Sequence, residues 1–97
     1  ADELKVEALM LIGNCYFTLE EYEKSFETYE KIYSQYKEYS NKAYSAMYLA
    51  GLSLEHLGRW NQAANLYKKI IDSPTNMQNY HEASTRLEVI KDKISSN

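Results

Sequence analysis

The chain repeats itself. Shifted by 38 residues, it places Gly13 on Gly51, Leu19 on Leu57, Tyr22 on Trp60, Ser25 on Ala63, Tyr29 on Tyr67, Lys31 on Lys69 and Ile32 on Ile70. Ala8 and Leu9 fall on Ala46 and Met47, so the match runs from Ala8 to Ile32 without a gap. A period of that length marks one supersecondary unit. Such a unit cannot cover its own apolar face, so neighbouring units must stack. With 97 residues, the whole stack is one small domain.

Each unit reads as two helices. Ala8, Leu9, Ile12, Cys15, Tyr16 and Leu19 recur at spacings of three and four, as do Tyr22, Ser25, Phe26, Tyr29, Ile32, Tyr33 and Tyr36. The second unit gives Ala46, Met47, Ala50, Leu54 and Leu57, then Trp60, Ala63, Ala64, Tyr67, Ile70 and Ile71. That rhythm draws a stripe along a 3.6-residue helix, and the strict alternation of a half-buried strand is absent. Gly58 stands at the turn of the second unit, where glycine tolerates a left-handed conformation, and Glu20 and Glu21 hold the same place in the first. Ser40-Asn41 and Thr75-Asn76 offer N-caps, and Ser73-Pro74 ends the fourth helix. A fifth stripe, Tyr80, Ala83, Leu87, Ile90 and Ile94, follows. Its Ala83-to-Leu87 step copies Ala46-to-Ala50 and Ala8-to-Ile12, as in the first helix of a third unit or a cap, and the polar Ser95-Ser96-Asn97 end suits a cap.

The expected fold is all-α: an antiparallel helix-pair solenoid of two repeats plus one further helix. Helices are expected over roughly 3–18, 21–37, 41–57, 60–72 and 77–94. Repeat one covers about 3–37, repeat two about 41–72, and the capping or third-repeat helix about 77–94. First helices should line the concave surface and second helices the convex one, with Gly13 close to Ser25 and Gly51 close to Ala63.

The motif resembles the tetratricopeptide repeat family. That family's pattern is a large residue, Leu-Gly and Tyr in the first helix, then small, aromatic and small residues in the second. Copy one supplies Leu9, Ile12-Gly13, Tyr16, Ser25 and Tyr29; copy two supplies Met47, Ala50-Gly51, Leu54, Ala63 and Tyr67. Ile32 and Ile70 replace the usual second alanine, and the period of 38 exceeds the family's 34. The ending Tyr-Lys-Lys-Ile-Ile-Asp-Ser-Pro, with Ala83 and Arg86-Leu87 after it, is similar to bacterial cell-envelope members. These include the periplasmic coordinator of the Tol-Pal system and the lipoprotein of the outer-membrane assembly machine. The resemblance implies a non-catalytic scaffold for protein partners, and, through the subgroup, a periplasmic or envelope location. Members that grip chaperone tails do so with a basic and amide clamp. The corresponding positions here hold Met10, Asn14, Leu49, Glu82 and Arg86, and only Asn14 and Arg86 match. Little affinity for acidic tails is expected, because Glu82 repels a carboxylate.

Chemistry-bearing clusters are sparse. His56 and His81 lack metal-ligand spacing, and Glu55-His56 reads as a solvated helix end without a second polar partner. Cys15, the single cysteine, makes no intrachain disulfide and reads as a small buried hydrophobe. Glu20, Glu21, Glu23, Glu27 and Glu30 read as a solvated acidic face, and most of the ten tyrosines as packing. No catalytic residue, metal or cofactor is expected. Residues 1–41 hold nine acids and four bases, and residues 42–97 hold five acids and seven bases. Neither half shows the basic face that nucleic acid requires, and no apolar run is long enough for membrane insertion.

One set of positions suggests a site. Counted from each glycine, the groove should be lined by Met10, Asn14 and Phe17, by Tyr48, Leu52 and Glu55, and in the fifth helix by Thr85, Val89 and Asp92. Met10, Phe17, Tyr48, Leu52 and Val89 are apolar where a plain solvent face would be polar. The expected function is a scaffold that takes a protein or peptide segment in this groove. Tyr48 is the central anchor, and Asn14, Glu55, His56 and Arg86 give polar direction. The alternative is an array fragment whose apolar ends drive self-association into a homo-oligomer.

Overall fold

A computed structural model describes residues 1–73 and 77–94. They form α1 (Asp2–Thr18), α2 (Tyr22–Gln35), α3 (Ser40–His56), α4 (Trp60–Ile71) and α5 (Met77–Ile90), followed by one 3₁₀ turn, Lys91–Lys93. The expected helices are present within a residue or two at most ends. The fifth is shorter than expected, because the chain tightens into the 3₁₀ turn after Ile90. Among the described residues there is no strand. Ser40 is the first residue of α3 rather than its cap, and Tyr39 caps the helix without a side-chain bond. Pro74, Thr75-Asn76 and the Ser95-Ser96-Asn97 end lie outside the described residues.

The two turns inside the repeats are the same device. In the second, Gly58 adopts φ 73°, its N–H donates to Glu55 O, and the Arg59 N–H donates to Leu54 O. In the first, Glu20 adopts φ 61°, its N–H donates to Phe17 O, and the Glu21 N–H donates to Tyr16 O. Both are Schellman closures that satisfy the last carbonyls of the first helix. Copy one therefore places a glutamate where the backbone favours glycine.

Consecutive helices pack as antiparallel neighbours, and the first helices also touch one another, α1 against α3 and α3 against α5. A cleft lined by Phe26, Glu30, Tyr33, Gln62, Leu66 and Lys69 separates α2 from α4 on the other side. The first helices thus form the inner layer and the second helices the outer one. The core runs through both layers: Val6, Tyr29 and Ile32 in repeat one, Ala46, Ala50, Leu54, Ala63, Tyr67 and Ile70 in repeat two, and Ala83 and Ile90 in α5.

The atoms nearest each glycine's missing Cβ belong not to Ser25 or Ala63 but to an aromatic ring sixteen residues on. A Cβ at Gly13 would stand 2.6 Å from Tyr29 Cε1, and a Cβ at Gly51 would collide with the Tyr67 ring. The Ser25 hydroxyl reaches the next repeat, its Oγ 2.7 Å from Ser53 Oγ in α3. Small residues here serve two kinds of close approach: glycine under tyrosine within a pair, and serine against serine between pairs.

The first helix carries the main surprise. Ala8, Ile12, Cys15 and Leu19 were expected in a buried stripe, yet all four are exposed. Their counterparts Ala46, Ala50 and Ser53 are fully buried because α2 lies against α3. Among the described residues no helix lies on that side of α1. The same correction applies to Cys15, which is an exposed thiol rather than a buried hydrophobe.

Candidate functional site

Two adjoining clefts line the face made by α3 and α5. One is bounded by Phe17, Leu52, Glu55, His56, Trp60 and Arg86, the other by Ser45, Tyr48, Leu49, Gln78, Asn79 and Glu82. Tyr48 and Leu52 stand one helical turn apart on α3, as do Glu82 and Arg86 on α5. The clefts therefore follow one another along a single groove.

Of the expected groove residues, Phe17, Leu52, Glu55, His56 and Arg86 come together in the first cleft, and Tyr48 lies in the second. Met10 is half-buried and packed against the core. Asn14 is exposed at the edge, where its Oδ1 accepts the Tyr29 hydroxyl at 2.6 Å. Val89, at 58% exposed, and Thr85 and Asp92 line neither cleft. Tyr48 is half-buried rather than free, with its ring 6.1 Å from that of Tyr67, and burial raises its hydroxyl pKa. Glu82 beside it pushes in the same direction.

Glu55 was read as part of a solvated end, but it is buried and triply engaged. It accepts the Tyr67 hydroxyl at 2.5 Å and Arg86 Nε at 3.1 Å on one oxygen, and Arg86 Nη2 on the other. The bidentate pair ties α3 to α5, and the tyrosine ties α3 to α4. The carboxylate's hydrogen bond holds the Arg86 guanidinium above its ordinary pKa. Burial, then the bond to Glu55, drives the Tyr67 hydroxyl well above the ordinary tyrosine value. Sequence reasoning missed this junction because Arg86 is 31 residues from Glu55.

It also missed the aromatic rim. His56 is exposed but not bare: its ring stacks on Tyr22 at 4.1 Å, and Phe17 stands edge-on to both rings. Trp60 closes the cleft beside them. A signal existed, since Tyr22 and Trp60 are repeat equivalents and each opens a second helix. The rim offers ring faces and edges, with one guanidinium already paired at the floor. Such a surface holds apolar and aromatic side chains. Among the described residues no group of three or more His, Cys, Asp or Glu is placed to hold a metal ion, and no helix is long and apolar enough to cross a membrane.

A family model described as tetratricopeptide repeat matches residues 5–74. No curated protein and no solved structure matches the chain. The matched span covers both helix pairs, and the chain belongs to the tetratricopeptide repeat family, whose repeats generally mediate protein–protein interactions from non-catalytic scaffolds. The match does not extend to the cell-envelope subgroup.

Proposed function

We propose that this tetratricopeptide repeat chain binds a segment of another protein along the α3–α5 groove, through apolar and aromatic contact. The observation that supports this reading most is the cleft where Phe17, Leu52, His56 and Trp60 converge around a floor of paired Glu55 and Arg86. Apolar side chains left partly in water in a concave lining gain most from a partner that dries them. Arg86 is held by Glu55 and Asn14 is engaged by Tyr29. Neither is a ready clamp for a terminal carboxylate, so the favoured partner segment is internal and apolar rather than an acidic tail.

A photo-crosslinking residue tests the reading. Placed at Leu52 in the groove, it should capture a partner from the parent cell's lysate, while the same residue at the exposed convex position Glu27 should not. Capture from position 27 alone would move the site to the outer face.

A further inference from the structure

Resting on the α3–α5 groove as the docking site, we propose that the groove reads a two-residue signature in its partner. A lysine or arginine sits beside Glu82 in one cleft, and an aromatic or large aliphatic side chain sits against Phe17 and Leu52 in the other. The two stand three positions apart on an extended segment.

The clefts match in spacing and differ in chemistry. Each residue that α3 gives the cleft at Tyr48 has a counterpart seven positions on in the cleft at Leu52: Ser45 and Leu52, Tyr48 and Glu55, Leu49 and His56. Asn79 and Arg86 repeat the step on α5. Seven residues are two helical turns, so the clefts stand about 10.5 Å apart along the groove. They hold about 250 and 310 Å³, near the lower end of the roughly 300–1,000 Å³ of pockets for whole small ligands. Each therefore suits a single side chain.

The cleft at Leu52 is apolar in effect. Phe17, Leu52 and Trp60 line it, and its two charged groups, Glu55 and Arg86, hold each other. The cleft at Tyr48 joins a ring to a carboxylate. Glu82 lines it with Tyr48 and Leu49, and after burial its carboxylate is the largest influence raising the Tyr48 hydroxyl pKa. Because Glu55 and Arg86 offset one another, the two linings together carry one carboxylate in excess, Glu82. Lys42, three residues before Ser45, is held by Glu7 at 3.7 Å. A lysine or arginine from a partner can lay its aliphatic stem on Tyr48 and Leu49 and put its charged end between the ring and Glu82. A carboxylate in that place would be repelled.

Spacing sets the form of the segment. α3 and α5 touch directly, so each cleft is a crevice between neighbouring helices. A helix about 10–12 Å across would bridge such crevices rather than enter them. A polyproline II segment has three residues per turn and rises about 3.1 Å per residue. Residues i and i+3 then lie on one face roughly 9 Å apart, close to the distance between the clefts.

The probes are capped synthetic tetrapeptides, Lys-Pro-Pro-Trp and its reverse, with norleucine or glutamate replacing lysine in parallel peptides. Binding to the isotope-labelled intact chain is followed by amide NMR shifts. In its better direction the lysine peptide should bind at least about fivefold more tightly than the norleucine peptide and about tenfold more tightly than the glutamate peptide. Removing one proline should weaken it at least about threefold, since the two side chains then leave a common face. Glu82→Gln should abolish the advantage of lysine over norleucine, Leu52→Lys should weaken every peptide, and Glu27→Gln on the convex side should change nothing. Equal affinity of the lysine, norleucine and glutamate peptides, all weakened by Leu52→Lys, would overturn the cation seat and leave the groove in place. Binding that ignores Leu52→Lys would overturn both. Absence of binding at millimolar peptide would overturn the two-residue signature, and the crosslink at Leu52 would still decide the groove.

Discussion

The two repeats share a sequence pattern and differ in their surroundings. Repeat two sits between α2 and α5, and its first helix is covered on both apolar sides. Among the described residues repeat one has a neighbour on one side only. The aligned residues Ile12 and Ala50 therefore have different fates: Ile12 is 46% exposed and Ala50 fully buried. The polar locks differ in the same sense. Tyr29 donates to Asn14, an exposed amide within its own pair, whereas Tyr67 donates to Glu55, a buried carboxylate that also holds Arg86 of the next helix. The repeat specifies the hairpin, and position in the stack specifies how tightly that hairpin is held.

The largest expected effect of this contrast is in alkali. Burial pushes the Tyr29 hydroxyl from its ordinary value of 10.0 up to about 12, and burial with the Glu55 bond carries Tyr67 further in the same direction. The folded state keeps these protons longer than the unfolded chain. Stability should be full below about pH 10 and fall as pH rises through the folded values. In a tyrosinate absorbance titration of single Tyr→Phe variants, the Tyr29 proton should leave before the Tyr67 proton, with unfolding alongside. Ionisation of both at the same pH without unfolding would break the contrast.

Next in size is the loss of the locks. Glu55→Ala leaves the buried Tyr67 hydroxyl without its acceptor and Arg86 without its partner, at a cost of about 3 kcal/mol. Asn14→Ala removes one bond at an exposed edge and should cost about 1 kcal/mol. Equal losses in urea melts would mean that the junction with α5 adds nothing. The glycines should rank the same way: Gly51→Leu drives a side chain into the locked Tyr67 ring and Gly13→Leu into the freer Tyr29 ring, within a range of about 1–3 kcal/mol.

The smallest effect lies in the turns. Glu20 holds the left-handed conformation that Gly58 supplies in repeat two. Glu20→Gly should therefore stabilise the chain by about 0.5–1 kcal/mol, the relief of strain exceeding the extra freedom of the unfolded glycine. Thermal melting checks it, and a loss of stability would mean that the Glu20 side chain has a role that the backbone argument omits.

The fold was readable because it rests on local spacing. Five helices, the turn at Gly58 and the inner and outer layers follow from apolar periodicity and the 38-residue shift. The glycine–tyrosine contacts carried a signal as well, since both pairs are separated by sixteen residues. The candidate groove was half legible. Counting from the glycines found Phe17, Tyr48, Leu52 and Glu55, yet Val89 lies outside both clefts and Trp60 inside one. The burial of Glu55 was illegible because its partner comes from a different helix and no local rule connects them. The exposure of Cys15 was illegible for a related reason. A periodic stripe shows that a face wants cover and cannot show whether a neighbour provides it.

One pair of melts tests the central claim directly. Ile12→Ala and Ala50→Ile make opposite exchanges at aligned positions, one on the open face of α1 and one on the covered face of α3. Ile12→Ala should move the melting temperature by no more than about 4 °C, as an exposed change does. Ala50→Ile should lower it by roughly 5–20 °C, because the added carbons have no room against α2. Equal and large losses at both positions would contradict the account, since they would mean that the face of α1 is as closely packed as that of α3.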